Sequence, residues 1–235
     1  MLLNIENPSE WSESLFEQVE LGDKRLNKRL VQITSQLSSN TGDSLSKSCN
    51  GDEALLEGGY RFLRNDKVKA ADIAVAGYES TARLAANSRL LLAIDDSTSV
   101  VYSHEASKML GYTTNKVDAK NRGYLVHSTV LLDADTEKTL GLISQNRWCR
   151  EKKDYGKRNS RRKQAYTEKE SYKWEHNSRD VAKRLDKQIT DTISICDREA
   201  DIFEYIQYKL THNQRFVVRA CQNRILSTKT TLFKH

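Results

Sequence analysis

Apolar positions recur at helical spacing through the first third of the chain and at strand spacing after it. Ser9 precedes Trp11, Leu15, Phe16 and Val19, a pattern that predicts a helix capped by the serine. Asp23 precedes Leu26, Leu30, Ile33 and Leu37, spaced four, three and four, and predicts a second capped helix. The stretch Ser38 to Gly51 is rich in Ser, Thr, Asn and Gly and reads as a connection. A third helix is expected from Asp52 to Arg64, with Leu55, Leu56, Tyr60 and Leu63 as its apolar face, and a fourth from Ala70 to Ala86.

From Leu90 onward the period shortens. Leu90 to Ile94 is a continuous apolar run closed by Asp95 and Asp96, Tyr124 to Leu132 is rich in Val, Leu and Thr, and Leu140 to Trp148 is a less regular strand candidate. A helical pattern over Ser171 to Ile189, through Trp174, Val181 and Leu185, then leads to a strand at Thr192 to Cys196. A helix at Ala200 to Leu210 and a strand at Arg215 to Cys221 complete the series. Three strands followed by helix, strand, helix, strand imply an α/β fold with a mixed sheet and flanking helices. The expected division is a small helical domain over 1–75 and the sheet domain over 76–235.

Charge adds a direction to this outline through its distribution. The net +6 is modest, but from Arg147 to Lys163 nine Lys or Arg face only Glu151 and Asp154. After Glu204 no acidic residue follows, whereas Lys209, Arg215, Arg219, Arg224, Lys229 and Lys234 do. On the second predicted helix Lys24, Arg25, Lys28 and Arg29 form one basic stripe, and Arg61 with Arg64 share a face of the third. Such clusters suit a polyanion, because each neutralised DNA phosphate releases a counterion. A solvated basic face, or an ion pair from Arg61 or Arg64 to Glu57 or Asp66, is the alternative use of the same residues. The four cysteines, Cys49, Cys149, Cys196 and Cys221, show no CxxC pairing, and the longest apolar run is far too short to cross a bilayer. A reduced cytoplasmic setting without zinc, disulfides or membrane insertion is expected.

Candidate chemistry centres on two acidic sites that follow apolar strands: Asp95-Asp96 after Leu-Leu-Ala-Ile, and Asp197 after Ile-Ser-Ile-Cys. Strand ends beside an apolar sheet can hold carboxylates rigidly while leaving them open to solvent, as hard divalent cations require. If the two strands are parallel neighbours, the carboxylates converge. Turn chemistry or helix capping would explain the same aspartates without a metal. His127, Trp148 and Trp174 read as packed residues, and Ser97, Thr98 and Ser99 lack a partnered base.

Ordered motifs carry a family resemblance. Leu21-Gly22-Asp23-Lys24-Arg25-Leu26, Glu57-Gly58-Gly59-Tyr60-Arg61-Phe62-Leu63-Arg64-Asn65 and Ala93-Ile94-Asp95-Asp96-Ser97-Thr98-Ser99 come first. Val126-His127-Ser128, Glu168-Lys169-Glu170-Ser171 with Trp174, Cys196-Asp197-Arg198-Glu199-Ala200-Asp201 and Arg215-Phe216-Val217-Val218-Arg219 follow. Together, from about residue 11 to residue 219, they resemble the bacterial cut-and-paste DDE transposases of insertion-sequence family four, of the Tn-five type. The resemblance implies an RNase H-like catalytic domain in which Asp96 and Asp197 are the first two acids of the DDE triad. Those acids would bind magnesium or manganese, and the metals would serve in-line attack on phosphorus. Asp95 should then point to the opposite side of its strand. The helical region resembles a domain that recognises the double-stranded DNA of transposon ends. Arg25, Arg29, Arg61 and Arg64 are the foremost contacts, Lys24 and Lys28 stand beside them, and most would fix register through phosphates.

The sequence also departs from that pattern. The family's third acid is a glutamate in a Tyr-Arg-Glu-Lys motif after a β-rich insertion, and a dimerisation region follows it; neither occurs before His235. Glu199 and Glu204 lie too close behind Asp197 to substitute. The resemblance fades after Arg219, and the Arg147 to Lys163 segment, with Arg150 in it, is more basic than the family's and reads as a loop touching DNA. The expectation is a C-terminally truncated, nucleoid-associated transposase polypeptide that binds ends and is inactive in strand cleavage by itself. A truncated regulator of transposition and an independent RNase H-like nuclease are the other readings.

Overall fold

The opening helix, α1 (Pro8–Phe16), starts one residue before the expected cap. Asn7 Oδ1 accepts the backbone N–H groups of Ser9 and Glu10, each at 3.2 Å, so Asn7 caps the helix and Pro8 takes the first helical position, where its missing N–H costs nothing. The helix ends at Phe16, and Val19 packs from the following turn instead of from the helix. There Asn27 donates to the Val19 carbonyl and accepts from the Leu21 N–H, tying the turn to α2 (Lys24–Ser39). Asp23 caps α2 as expected, accepting from the Arg25 N–H. The structure is a computed structural model that describes residues 7–16, 18–114, 121–150, 164–225 and 232.

The expected connection Ser38 to Gly51 contains a single helical turn, α3 (Leu45–Ser48), because Ser44 caps it by accepting from the Lys47 N–H. On α4 (Glu53–Leu63) the buried residues are Gly59 and Phe62, whereas Leu63 is 64% exposed, so the inward face lies one position away from the one the leucine spacing suggested. Phe16, Val19, Leu21, Leu30, Ile33 and Phe62 form the core of this helical unit, with Ile73 and Ala76 of α5 (Ala70–Ala85) against it. The chain divides into compact units at Met1–Arg83 and Leu84–His235, a boundary that falls within α5 because that helix is unbroken.

The second unit is a five-stranded mixed sheet of order β3-β2-β1-β4-β5. Its strands are β1 (Leu91–Val101), β2 (Gly123–Asp133), β3 (Thr139–Trp148), β4 (Thr192–Cys196) and β5 (Arg215–Val218). The first three form an antiparallel meander, and β4 and β5 add in parallel on the other edge of β1. The intervening helices are α6 (Lys173–Leu185) and α7 (Phe203–Thr211), both shorter than the periodicity suggested. Residues Asp186–Asp191 continue α6 as 3-10 turns after Asp186 adopts φ 47°, and α7 is preceded by a separate 3-10 turn at Arg198–Ala200. The sheet unit is therefore α/β with flanking helices, as the order of elements required.

The longest departure concerns β1. The sequence placed its end at Ile94, but the strand runs to Val101, because β2 continues to pair with it residue by residue as far as Val101↔Gly123. Val100 and Gly123 come so close there that a Cβ on Gly123 would collide with the Val100 carbonyl oxygen, which only glycine accommodates. What ends near Asp95 is the other neighbour: β4 pairs with β1 only from Leu91↔Thr192 to Asp95↔Cys196.

Alternation divides the sheet into two unlike faces. Inward, toward α6, the register aligns Ser144, Thr129, Asp95, Cys196 and Val218 across all five strands. Outward, one residue away, it aligns Leu142, Val130, Ile94, Ile195 and Val217, of which Leu142, Ile94 and Val217 are exposed. His127 lies inward on β2, fully buried, edge-on to Trp174 at 4.5 Å and with Nδ1 2.9 Å from Ser97 Oγ.

Burial, aided by the positive charge of Lys173, lowers the His127 pKa from 6.5 to about 3. Between those values the unfolded chain takes up a proton that the folded chain refuses, so this contribution to stability falls as pH drops from 6.5 toward 3. Asp95, raised by burial from 3.8 to about 6, acts in the opposite sense but is present in both proteins of a comparison. The stability advantage of wild type over His127→Gln should therefore shrink below about pH 6.5, by at most about 1.4 kcal/mol per pH unit. Denaturant melts of both proteins from about pH 4 to about pH 7.5 measure it, and a constant difference would refute the assignment.

Candidate nucleic-acid interface and acidic site

The basic residues singled out in the helical unit do not share one environment. Lys24, Arg25 and Lys28 are exposed along α2, and Arg25 folds back on its own cap, Nη2 lying 2.9 Å from Asp23 Oδ2. That exposed pair is a weak constraint that a phosphate can displace. Arg29 is turned aside from the others. Its guanidinium rests on α4 at Gly58, where an added Cβ would lie 2.5 Å from Cζ. The Glu57-Gly58-Gly59 motif thus has a local packing cause: Gly58 admits Arg29, and Gly59 lies under the Leu45 side chain.

On α4 Arg61 pairs with Glu57 at 2.9 Å, one turn back, and Arg64 lies over the Tyr60 ring at 5.5 Å. Both are exposed. The ion pair open as an alternative for Arg61 is present, and it remains at the surface, where screening makes it worth little.

In the sheet unit Arg150 and Arg219 are placed differently. Arg150 is bound at both ends of its guanidinium, to Glu170 at 2.6 and 2.8 Å and to the Thr113 carbonyl at 2.8 Å, and its side chain is largely buried. It joins the segment after β3 to the turns before α6. Arg219 is exposed and follows Val218, whose partner on β4 is Cys196. The rest of the basic segment, residues 151–163, lies outside the described residues, as does most of the tail beyond Ile225.

Asp96 lies within β1 and Asp197 directly after β4, and both are exposed. The last parallel pair between β1 and β4 is Asp95↔Cys196, so the next residue along the chain from each is one of the two acids. Because Asp95 faces inward, Asp96 falls on the opposite side of β1, and Asp197, which caps the turn after β4, is likewise exposed. Arg219 directly follows β5, its N–H donating to the Cys196 carbonyl, and Ser128 pairs with Asp96 on β2. Asp197 Oδ1 accepts the Glu199 N–H at 2.8 Å, which starts the Arg198–Ala200 turn and fixes the aspartate's rotamer. Turn chemistry thus explains one oxygen of Asp197, whereas no turn explains Asp96, which stands in mid-strand. Two exposed carboxylates on adjacent strands are hard oxygen donors suited to a divalent cation of the magnesium kind. Among the described residues no group of three or more His, Cys, Asp or Glu side chains comes together.

Behind the acids lies a polar network that the strand pattern did not reveal. Asp95 Oδ1 accepts from Thr129 Oγ1 at 2.5 Å, Oδ2 faces the Cys196 thiol at 3.6 Å, and Cys196 Sγ meets the Tyr205 hydroxyl at 3.4 Å. Asn177 of α6 donates to Thr129 Oγ1 and to the His127 carbonyl. Lys209, buried, donates to Ser194 Oγ and Gln214 Oε1. Burial lowers its pKa to about 8, against the attraction of Asp95, and burial drives the Cys196 and Tyr205 values up, so thiol and phenol stay protonated. A carboxylate, a cysteine and a lysine inside strand and helix patterns were the available signal.

A cavity of about 600 Å³ opens beside the Asp197 turn, lined among others by Lys173, Trp174, Arg198, Glu199 and Asp201. Lys173 Nζ lies 5.8 and 5.5 Å from the ring centres of Trp148 and Trp174 and pairs with Glu199 at 3.3 Å. Trp174 is the core residue it was read to be, 1% exposed. Asp201 is held by the Cys221 and Gln222 N–H groups and by Arg224, which pins the segment after β5. No helix among the described residues is long and apolar enough to cross a membrane.

A Gly58→Ala chain should show how Arg29 is seated. The gain in helix propensity, about 0.8–1.0 kcal/mol, opposes the packing given up when the flexible guanidinium moves, so stability should stay within about 1 kcal/mol of wild type. The Arg29 Nε–H resonance should shift markedly at the same time; an unmoved resonance would contradict the contact. The match to known families falls on this helical region. Residues 8–68, from the start of α1 to just beyond α4, match the family model described as Transposase DNA-binding, and this part of the chain is a transposase DNA-binding domain.

Proposed function

We propose that this protein binds the double-stranded DNA of transposon ends through its helical unit and belongs, through its sheet unit, to the DDE transposases that cut and join DNA. The observation that carries the reading is the coincidence of the transposase DNA-binding match at 8–68 with a helical unit whose exposed cations, Lys24, Arg25, Lys28, Arg61 and Arg64, lie on α2 and α4. These side chains would contact phosphates and set register, with any base reading confined to a few of them. Arg29 would act by holding α2 against α4, so that the two basic helices present their charges in a fixed relation. Arg219, on the acid side of the sheet, would meet the strand being acted on.

For the sheet unit, Asp96 and Asp197 are the residues that would hold magnesium or manganese. When bound, such a cation polarises a phosphoryl oxygen and lowers the pKa of water. The chain's own contribution is to keep the two carboxylates on adjacent strands at one level, with Asp197 locked by the Glu199 N–H. A second reading is a regulator that occupies ends without cutting them: a two-metal centre is ordinarily held by more than two acids, and among the described residues no group of three or more His, Cys, Asp or Glu that could hold a metal ion is found.

Mobility-shift titrations with end-containing and scrambled duplexes, run at several salt concentrations, test the binding step. Arg25→Ala and Lys28→Ala should each weaken binding several-fold and reduce the salt slope by about 1 for each phosphate that is no longer neutralised. Equal affinity for both duplexes, or an unchanged slope in the variants, would defeat end recognition. Nicking of the bound duplex in magnesium separates the two readings. Cleavage that disappears in Asp96→Ala supports the transposase, whereas tight end binding without Asp96-dependent cleavage supports the regulator.

A further inference from the structure

The buried network behind the acids is placed to control them. Asp95 and Cys196 form the last parallel pair of β1 and β4, and the next residue along the chain from each is Asp96 or Asp197. Asp95 joins three strands at that level, since Thr129 donates to one carboxylate oxygen from β2 and the Cys196 thiol approaches the other from β4. Asn177 anchors Thr129 to α6, and Tyr205 anchors Cys196 to α7. All of these side chains are buried. The carboxylate is therefore a clasp with ties to both neighbouring strands and, through its two partners, to both helices. An apolar pair at this level would close the core just as well. It would not fix the lateral spacing of β1 and β4 at the point where their hydrogen-bonded pairing stops.

We propose that the Thr129–Asp95–Cys196 clasp sets the separation of Asp96 and Asp197, and that Asp95, Thr129 and Cys196 are positioning residues for a divalent cation held by that pair. The proposal rests on the reading of Asp96 and Asp197 as cation ligands. Backbone connection transmits the effect: each clasp residue on β1 and β4 precedes an acid directly, so a change in strand spacing inside appears as a change in carboxylate spacing outside. Groups behind a ligand commonly change metal affinity about 10- to 100-fold when removed.

The test is Mn2+ binding by the full chain, followed by water-proton relaxation without DNA. Wild type should bind Mn2+, and Asp96→Asn and Asp197→Asn should abolish that binding. Thr129→Val, which removes one hydroxyl at nearly constant volume, should weaken binding about tenfold or more, while Thr129→Ser should restore it to within about threefold. Cys196→Ala should weaken it and Cys196→Ser should not, which keeps the clasp testable if Thr129→Val fails to fold. Ile143→Val, fully buried on β3 but outside the clasp, supplies the control: it should lower the melting temperature and leave Mn2+ affinity unchanged. If Mn2+ binding is absent, or survives both aspartate changes, the ligand assignment fails and the clasp proposal with it. If the aspartate changes abolish binding but Thr129→Val and Cys196→Ala bind like wild type, or no worse than Ile143→Val, the clasp alone is overturned.

Discussion

The parallel pairing of β1 with β4 is what the remainder of the sheet unit depends on. The two strands are separated in sequence by the whole β2–β3 meander and by α6, so nothing local brings them together. Once they pair, period-two alternation has only one result: Asp95 and Cys196 go inside, and the acids that follow them go outside. A one-residue slip would bury Asp96 and expose Asp95, so the register of five residue pairs determines which carboxylate can reach solvent. The inward hydrogen bonds of Asp95 oppose that slip, because in the shifted register Thr129 would face a different residue and a buried carboxylate would lose its donor.

Burying Asp95 and Lys209 beneath the same sheet is costly, and both respond as desolvation requires, the acid upward to about 6 and the amine downward to about 8. Their neighbours supply hydroxyl, amide and thiol partners instead of a direct ion pair. Such an arrangement stabilises less than a well-packed apolar core of the same volume, and its physical advantage is uniqueness of register. His127 is the less complete case: Nδ1 is engaged with Ser97, whereas Nε2 is buried without a partner among the described residues, consistent with a ring kept neutral by its surroundings.

Much of this was legible from residue patterns. The order of strands and helices followed from the change of period at Leu90, and the Asp23 cap followed from residue type alone. What periodicity could not supply was set by partners distant in sequence. Asp95 and Asp96 read as the end of a strand because the apolar run stops at Ile94, yet β2 extends the strand to Val101 through backbone hydrogen bonds to which side-chain polarity is irrelevant. Leu63 read as core and is exposed, because the narrow contact that α2 and α3 make with α4 is filled by Phe62 and two glycines. The motif resemblance singled out Asp96 and Asp197 without indicating why Asp95 precedes one of them, and no spacing rule connects Asp95 to Thr129, thirty-four positions away.

DNA binding by the helical unit and the cation binding proposed for the sheet unit would rest on physically different terms. The first is a sum over exposed cations of the helical unit, each contributing a counterion-release increment, so it degrades gradually as charges are removed. Arg29 shows that sequence charge overstates that sum, since its guanidinium is engaged in helix packing, and Arg150 shows the same for the sheet unit, where it pairs with Glu170. The second would depend on ångström-scale spacing of Asp96 and Asp197 and would fail abruptly when that spacing changes. The division of the chain into a helical unit and a sheet unit would then assign the tolerant property to one and the exacting property to the other. A chain built this way would keep DNA binding through substitutions in the sheet unit that abolish cation binding.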